Sequence, residues 1–182
     1  MQKDTAYSLT LQIFTAGHWR DAMRLEFPEP QQGFVGPCRF HYRQDYLADH
    51  LEEIQQPFCY AASARFPLDW DVTVLKSAPA FLHDIAPAGA AKRFLMQRLG
   101  REKPQAIDDD LFLLGRSTPA PIGNMRIKES IQALGGETPM GFARHEVVSR
   151  DSRFLEYAYE QGAAIGGATG AGGEAPKLLM TQ

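Results

Sequence analysis

The sequence predicts an α+β fold, β-rich at its start with helices packed after it. Two patterns predict this. Ser8-Leu9-Thr10-Leu11-Gln12-Ile13-Phe14 alternates polar and apolar residues, the period of a half-buried strand. Later, Tyr46, Leu47, Leu51 and Ile54, and then Ala91, Phe94, Leu95, Arg98 and Leu99, fall at helical spacing. A chain of 182 residues is long enough for one domain or two small subdomains sharing a core.

Taken in order, Ala16-Gly17-His18 is a turn, and residues 19–27 return as a second strand to make a hairpin. Pro28, Pro30, Gly33 and Pro37 mark a loop. Cys38-Arg39-Phe40-His41-Tyr42 alternates again and is predicted as a third strand. Residues 44–54 are predicted helical, with Pro57 ending the run. Residues 58–66, short and apolar, are predicted as a buried strand stopped by Pro67. Pro87 opens the next helix, where its missing N–H costs nothing, and Gly100 follows the last turn. Asp108, Asp109 and Asp110 open a short helix over residues 111–114. Acidic groups at a helix start complement the backbone dipole, so the run reads as a cap rather than a metal site. A short strand is predicted over 123–128, and a helix over 150–161 with Phe154, Leu155, Tyr157 and Ala158 on its apolar side. The linker-like stretch at 135–141 divides the chain into a 1–134 subdomain and a 135–182 segment.

Composition narrows the function classes. Hydrophobic residues make up 44% and charged residues 23%, an ordinary globular balance. A net charge of −3 argues against a broad basic nucleic-acid surface. Cys38 and Cys59 lack CxxC spacing and read as buried reduced thiols. The N-terminus carries Asp4 and polar residues where a signal peptide would be apolar, and no window approaches the roughly 18 apolar residues of a membrane span. A cytoplasmic location without membrane contact is expected.

The segment from Gly162 to Lys177 places six glycines in sixteen residues. Glycine lets backbone N–H groups approach phosphate oxygens, and a following lysine adds a point charge for the same anion. Composition alone fits a flexible loop or tail equally well. Gly170-x-Gly172-x-x-Ala175 matches the dinucleotide fingerprint only formally, since no strand precedes it and no room follows for a βαβ unit. No Gly-Lys-Ser/Thr of a Walker loop occurs. A glycine-rich loop leading into a strand, as kinases place over ATP, remains. Leu178-Leu179-Met180 begins an apolar run, followed by two more residues, and reads as a strand cut short.

Five segments, in order, resemble the HipA-like serine/threonine kinases of bacterial toxin–antitoxin systems. Phe40-His41-Tyr42-Arg43-Gln44-Asp45-Tyr46-Leu47 resembles the family's FxYxxxYL segment. Ser63-Ala64-Arg65-Phe66-Pro67-Leu68 resembles its SxxLPL strand end. Phe81-Leu82-His83-Asp84-Ile85-Ala86-Pro87-Ala88-Gly89, with residues 93–100, resembles its FLxDLLPxG…RxLG helix region. Residues 111–116 with Gly123-Asn124-Met125-Arg126 resemble LLxxxGRxxxGxL. Gly172-Gly173-Glu174-Ala175-Pro176-Lys177-Leu178-Leu179 resembles the xGxQPKLLL phosphate loop.

The resemblance implies a β-rich kinase-lobe subdomain followed by a glycine-rich phosphate loop. Gly172, Gly173, Glu174, Ala175 and Lys177 would line the phosphates of ATP, with magnesium as the second cofactor. It implies transfer of the γ-phosphate to serine or threonine of a protein substrate such as an aminoacyl-tRNA synthetase. It implies a small DNA-binding antitoxin as partner, with DNA reached only through it, and growth arrest as the outcome. Two departures stand out: Ala175 replaces the usual glutamine, and Gly170 occupies the place of a serine that some members autophosphorylate, with Thr169 as the nearest hydroxyl. No HxDxxxxN or DFG-like segment occurs, so no catalytic aspartate or magnesium ligand is expected here and the isolated chain is expected to be inactive. The alternative is a stand-alone regulatory module that binds a separate kinase lobe or an antitoxin.

Other groups carry weaker expectations. The five histidines, at 18, 41, 50, 83 and 145, lack close metal-ligand spacing. His83-Asp84 and His145-Glu146 read as surface or subdomain-contact residues rather than catalytic pairs, and Asp69-Trp70-Asp71 as a loop between elements. Ser63 and Ser149 lack a nucleophile-elbow context. Lys92, Arg93, Arg98, Arg101 and Lys103 form a basic stretch that reads as a solvated helix face or a partner-contact face.

Overall fold

The computed structural model describes residues 6–56, 59–118, 123–133, 141–149 and 151–154. Among them, five strands, β1 (Tyr7–Thr15), β2 (His18–Phe27), β3 (Cys38–Tyr42), β4 (Thr73–Leu75) and β5 (Met125–Ile127), form one antiparallel sheet of order β4-β3-β2-β1-β5. β1 (Tyr7–Thr15) and β2 (His18–Phe27) make the predicted hairpin. Ala16 and Gly17 both have positive φ, 47° and 82°, the left-handed pair a two-residue hairpin turn requires. The register slips once: Leu11 faces Met23, but Gln12 faces Asp21. The extra residue, Ala22, is fully buried, and its carbonyl accepts the Arg43 N–H at 2.9 Å, where β3 gives way to the next helix.

β3 (Cys38–Tyr42) pairs with β2 as predicted, and α1 (Gln44–Ala48) follows it. α1 is shorter than the predicted 44–54 helix: the chain turns after it and resumes as a single 3-10 turn at Leu51–Glu53. β4 (Thr73–Leu75) pairs with the far side of β3. α2 (Ala80–Ile85) and α3 (Gly89–Leu99) flank Pro87, which therefore lies between two helices rather than opening one. α3 ends at Gly100, as expected. α4 (Asp109–Arg116) is capped by Asp108, whose carboxylate accepts the Asp110 N–H at 2.8 Å. β5 (Met125–Ile127) pairs with β1 and runs directly into α5 (Lys128–Ala133). α6 (Arg144–Val148) was not anticipated. Of the predicted 150–161 helix, residues 152–154 are helical, Asp151 is not, and the others lie outside the described residues. So do residues 135–140, on which the subdomain boundary was placed.

The predicted strand over 58–66 does not form. Residues 59–66 make a loop with one isolated bridge, Ser63 to Phe66, and Tyr60 sits at φ 55°. Beside β3 the sheet position is taken by β4, and residues 59–66 pair with none of the five strands. Tyrosine hydroxyls satisfy its backbone instead. The Tyr42 hydroxyl donates to the Phe66 carbonyl at 2.7 Å and accepts from the Ala62 N–H at 3.0 Å, while the Tyr46 hydroxyl donates to the Tyr60 carbonyl at 2.8 Å.

One face of the sheet carries the core. Leu9, Leu11, Ile13, Met23, Leu25, Phe27 and Phe40 are buried against α1, α2 and α4. A smaller cluster of Leu95, Phe112 and Leu113 joins α3 to α4. Close packing explains Gly115: a Cβ there would run into the Tyr7 hydroxyl. Among the described residues no helix is long and apolar enough to cross a membrane.

Candidate functional site

The residues predicted to hold phosphate, Gly172, Gly173, Glu174, Ala175 and Lys177, lie outside the described residues. The other predicted groups are placed, and most are structural. The basic stretch folds back onto the acidic start of α4: Lys92 bonds Asp110 at 2.6 Å, and Lys103 approaches Asp109 at 3.1 Å. Arg93 and Arg101 face solvent. His83 is exposed and sets its ring edge on Phe34, with centroids 4.7 Å apart. His145 is exposed, and Glu146 caps its own helix by accepting the Ala143 N–H at 2.6 Å. Cys38 is buried, and burial pushes its thiol up to about 12, whereas Cys59 is only half-buried. Among the described residues no group of three or more His, Cys, Asp or Glu is placed to hold a metal ion.

The polar face of the sheet, opposite the core, is a connected network. Gln12 donates to Asp21 at 2.7 Å and accepts from Arg126 at 2.7 Å, and Lys128 bonds Asp21 at 2.6 Å. Burial works to raise the Asp21 carboxyl, but its bonds to Lys128 and Gln12 and the nearby charges of Lys128 and Arg43 outweigh it and hold the group below the usual range. Arg126 lies over the Trp19 ring at 4.1 Å, and Phe14 packs on Trp19 from the neighbouring strand. Glu26 bridges Arg24 and Arg39. These contacts join strands and leave little free charge on this face.

The far edge differs. Trp70, Val72 and Val74 are 55%, 55% and 70% exposed. Where β4 ends, a cleft of about 240 Å³ opens between the 63–66 turn and the start of α2. Ser63, Arg65, Lys76 and Ser77 give it a polar lining, and Phe66 and Phe81 an apolar one. Arg65 and Lys76 have no ion pair among the described residues. Asp69-Trp70-Asp71 lies in a loop, as the sequence predicts, but the three-residue strand that follows it is not among the predicted elements, and the site goes with that strand. The alternation of Trp70, Val72 and Val74 was the available signal.

No family model matches the chain, and neither a curated protein nor a solved structure matches it.

Proposed function

We propose that this chain is the N-terminal region of a HipA-like serine/threonine kinase and that its glycine-rich segment holds the phosphates of ATP. The observation that carries the reading is the order of the five resembling segments. Its support is that the family-like residues of the first four include core positions: Phe40, Tyr42, Tyr46 and Leu47, then Leu68, then Phe81, Leu82 and Ile85, then Leu111 and Leu114 are all buried. Residues that build a core specify a fold more strongly than surface residues do.

In this reading the backbone N–H groups of Gly172 and Gly173 approach the phosphate oxygens and the Lys177 ammonium adds charge, with magnesium bridging the phosphates. The sequence holds no HxDxxxxN or DFG-like segment, so the chain by itself binds nucleotide without transferring phosphate. The protein works in the cytoplasm, with a small DNA-binding antitoxin as partner and a protein such as an aminoacyl-tRNA synthetase as phosphoryl acceptor.

Calorimetric titration of the full chain with magnesium-ATP, beside Lys177→Ala, tests the proposal. Saturable binding that the substitution abolishes is the expected result. A folded chain that releases no heat, or one that binds ATP equally well without Lys177, overturns it.

A further inference from the structure

The sheet leaves β4 with one neighbour, β3, so the other side of β4 is an unpaired edge among the described residues. Such an edge is a template for another extended chain. In β4 the exposed residue is the apolar Val74, and before the strand Trp70 and Val72 are exposed too, with the exposed Asp71 between them. At one end stands the cleft with Arg65 and Lys76, two cations without an ion pair among the described residues. At the other end stand Asp69 and Asp71, the carboxylate of Asp69 accepting the Asp71 N–H at 3.1 Å. The edge therefore carries exposed Val72 and Val74, with cations where it finishes and the carboxylates of Asp69 and Asp71 interleaved with Trp70 where it starts.

We infer that this edge and its cleft dock an extended, acidic segment of a partner protein, added as a strand beside β4 with its carboxylate received by Arg65 and Lys76. Charge fixes the direction, since a carboxylate is attracted at the cleft end and repelled by Asp69 and Asp71 at the other. Ser63 and Ser77 supply hydroxyls that a carboxylate can accept from, and Phe66 and Phe81 give the cleft an apolar lining. A second copy of this chain fits less well. Three strand residues span only about 10 Å, too short an edge to bury by itself the ~1,200 Å² or more of a stable interface. A peptide anchored by one charged pocket needs no such area. The inference is independent of ATP binding by the glycine-rich segment.

Two fluorescein-labelled peptides serve as probes, Glu-Glu-Val-Thr-Val-Thr and the reverse order Thr-Val-Thr-Val-Glu-Glu, each with a control in which lysine replaces glutamate. Anisotropy titrations use the full chain and the double variant Arg65→Glu, Lys76→Glu. Both side chains are exposed, so the variant keeps its circular dichroism. One acidic peptide is expected to bind the natural chain at least tenfold more tightly than its lysine control. The double variant reverses that preference, and amide exchange at residues 72–76 slows when the acidic peptide is bound. The proposal is overturned if neither acidic peptide outbinds its control or if the preference survives the charge reversal. It is overturned equally if sedimentation shows the peptide-free chain pairing with itself in a way that Val74→Lys abolishes.

Discussion

The two edges of the sheet are finished in opposite ways. At the β5 edge, Ile127 is fully buried opposite Leu11, and the chain turns at once into α5. Glu129, in the first turn of that helix, accepts the Thr10 N–H with both carboxylate oxygens, at 3.1 and 2.9 Å, just beyond the last β1–β5 pair. The Ser130 hydroxyl donates back to the Ile127 carbonyl at 2.6 Å. A side chain thus replaces the strand partner that β1 lacks. Among the described residues the corresponding surface at the β4 edge is open: Val74 is 70% exposed, and Arg65 and Lys76 have no ion pair. An unpaired edge is a liability that proteins ordinarily cover. Covering one edge with a dedicated carboxylate while leaving the other apolar makes the open edge the natural place to look for a partner.

The largest test of this contrast is truncation of one residue at each edge. Ile127→Ala removes a core side chain and is expected to cost ~2–5 kcal/mol in urea unfolding. Val74→Ala removes exposed atoms and is expected to stay within ~0.5 kcal/mol. Equal losses would mean that β4 is covered in solution.

Alkaline pH probes how each side is held. Burial, with a smaller contribution from the Glu129 charge, pushes the Tyr7 hydroxyl up to about 12 on the β5 side. On the β4 side, burial pushes Tyr42 up to about 12 and raises Tyr46 as well. In the unfolded chain these hydroxyls ionise near 10. The folded state thus holds protons that the unfolded state has lost, and stability falls as pH rises from about 10 towards 12. Below pH 9 these groups contribute no slope. Chemical unfolding at pH 8, 10 and 11 is expected to show a flat region and then a decline. Tyr42→Phe should lower stability by ~1–3 kcal/mol at pH 8, because the Phe66 carbonyl and Ala62 N–H both lose a partner.

These tyrosines also show what the sequence could tell. The hairpin was legible because Ser8 to Phe14 alternates and Ala16-Gly17 supplies the turn. The cap of α4 was legible because a run of aspartates before Leu111 has one favourable use. Residues 58–66 were misread because their apolar composition resembles a strand, while what fixes the loop is a pair of hydroxyls from Tyr42 and Tyr46. No local pattern reports such a long-range bond. β4 was missed because it is three residues long and half-exposed, so the signal lies as much in Trp70 and Val72, before the strand, as within it. The cleft was invisible because Arg65 and Lys76 come from separate loops that only the folded sheet brings together. The proposed phosphate site remains a reading of the sequence, since residues 172–177 lie outside the described structure.

Smaller effects sharpen the comparison. Glu129→Ala strips the Thr10 N–H of its charged acceptor and is expected to cost ~1–2 kcal/mol in urea unfolding, with Glu129→Gln recovering part of the loss. At acid pH, Asp21 is held below its ordinary value, so the stability it contributes is present above the unfolded carboxyl value near 3.8 and is lost as pH falls through the lower folded value. Lys128→Met should flatten that acid slope and leave the alkaline one unchanged.

The smallest expected effect involves no stability change. The chain has two tryptophans, one on each side of the contrast. Trp19 lies beneath Arg126 and beside Phe14, within the network that ties β1 to β5. Trp70, 55% exposed, stands before the open edge. Iodide should therefore quench Trp19→Phe, which reports Trp70, more strongly than Trp70→Phe, which reports Trp19. Iodide is an anion drawn to cations, and Arg126 sits directly on Trp19, so charge alone would favour the opposite order. Acrylamide is neutral and removes that bias. If Trp70 is the more quenched by both agents, shielding rather than charge sets the order and the β4 edge is open in solution. If Trp70 is protected from acrylamide, something already covers that edge, and the contrast between the two sides of the sheet fails at the residue where it is most exposed.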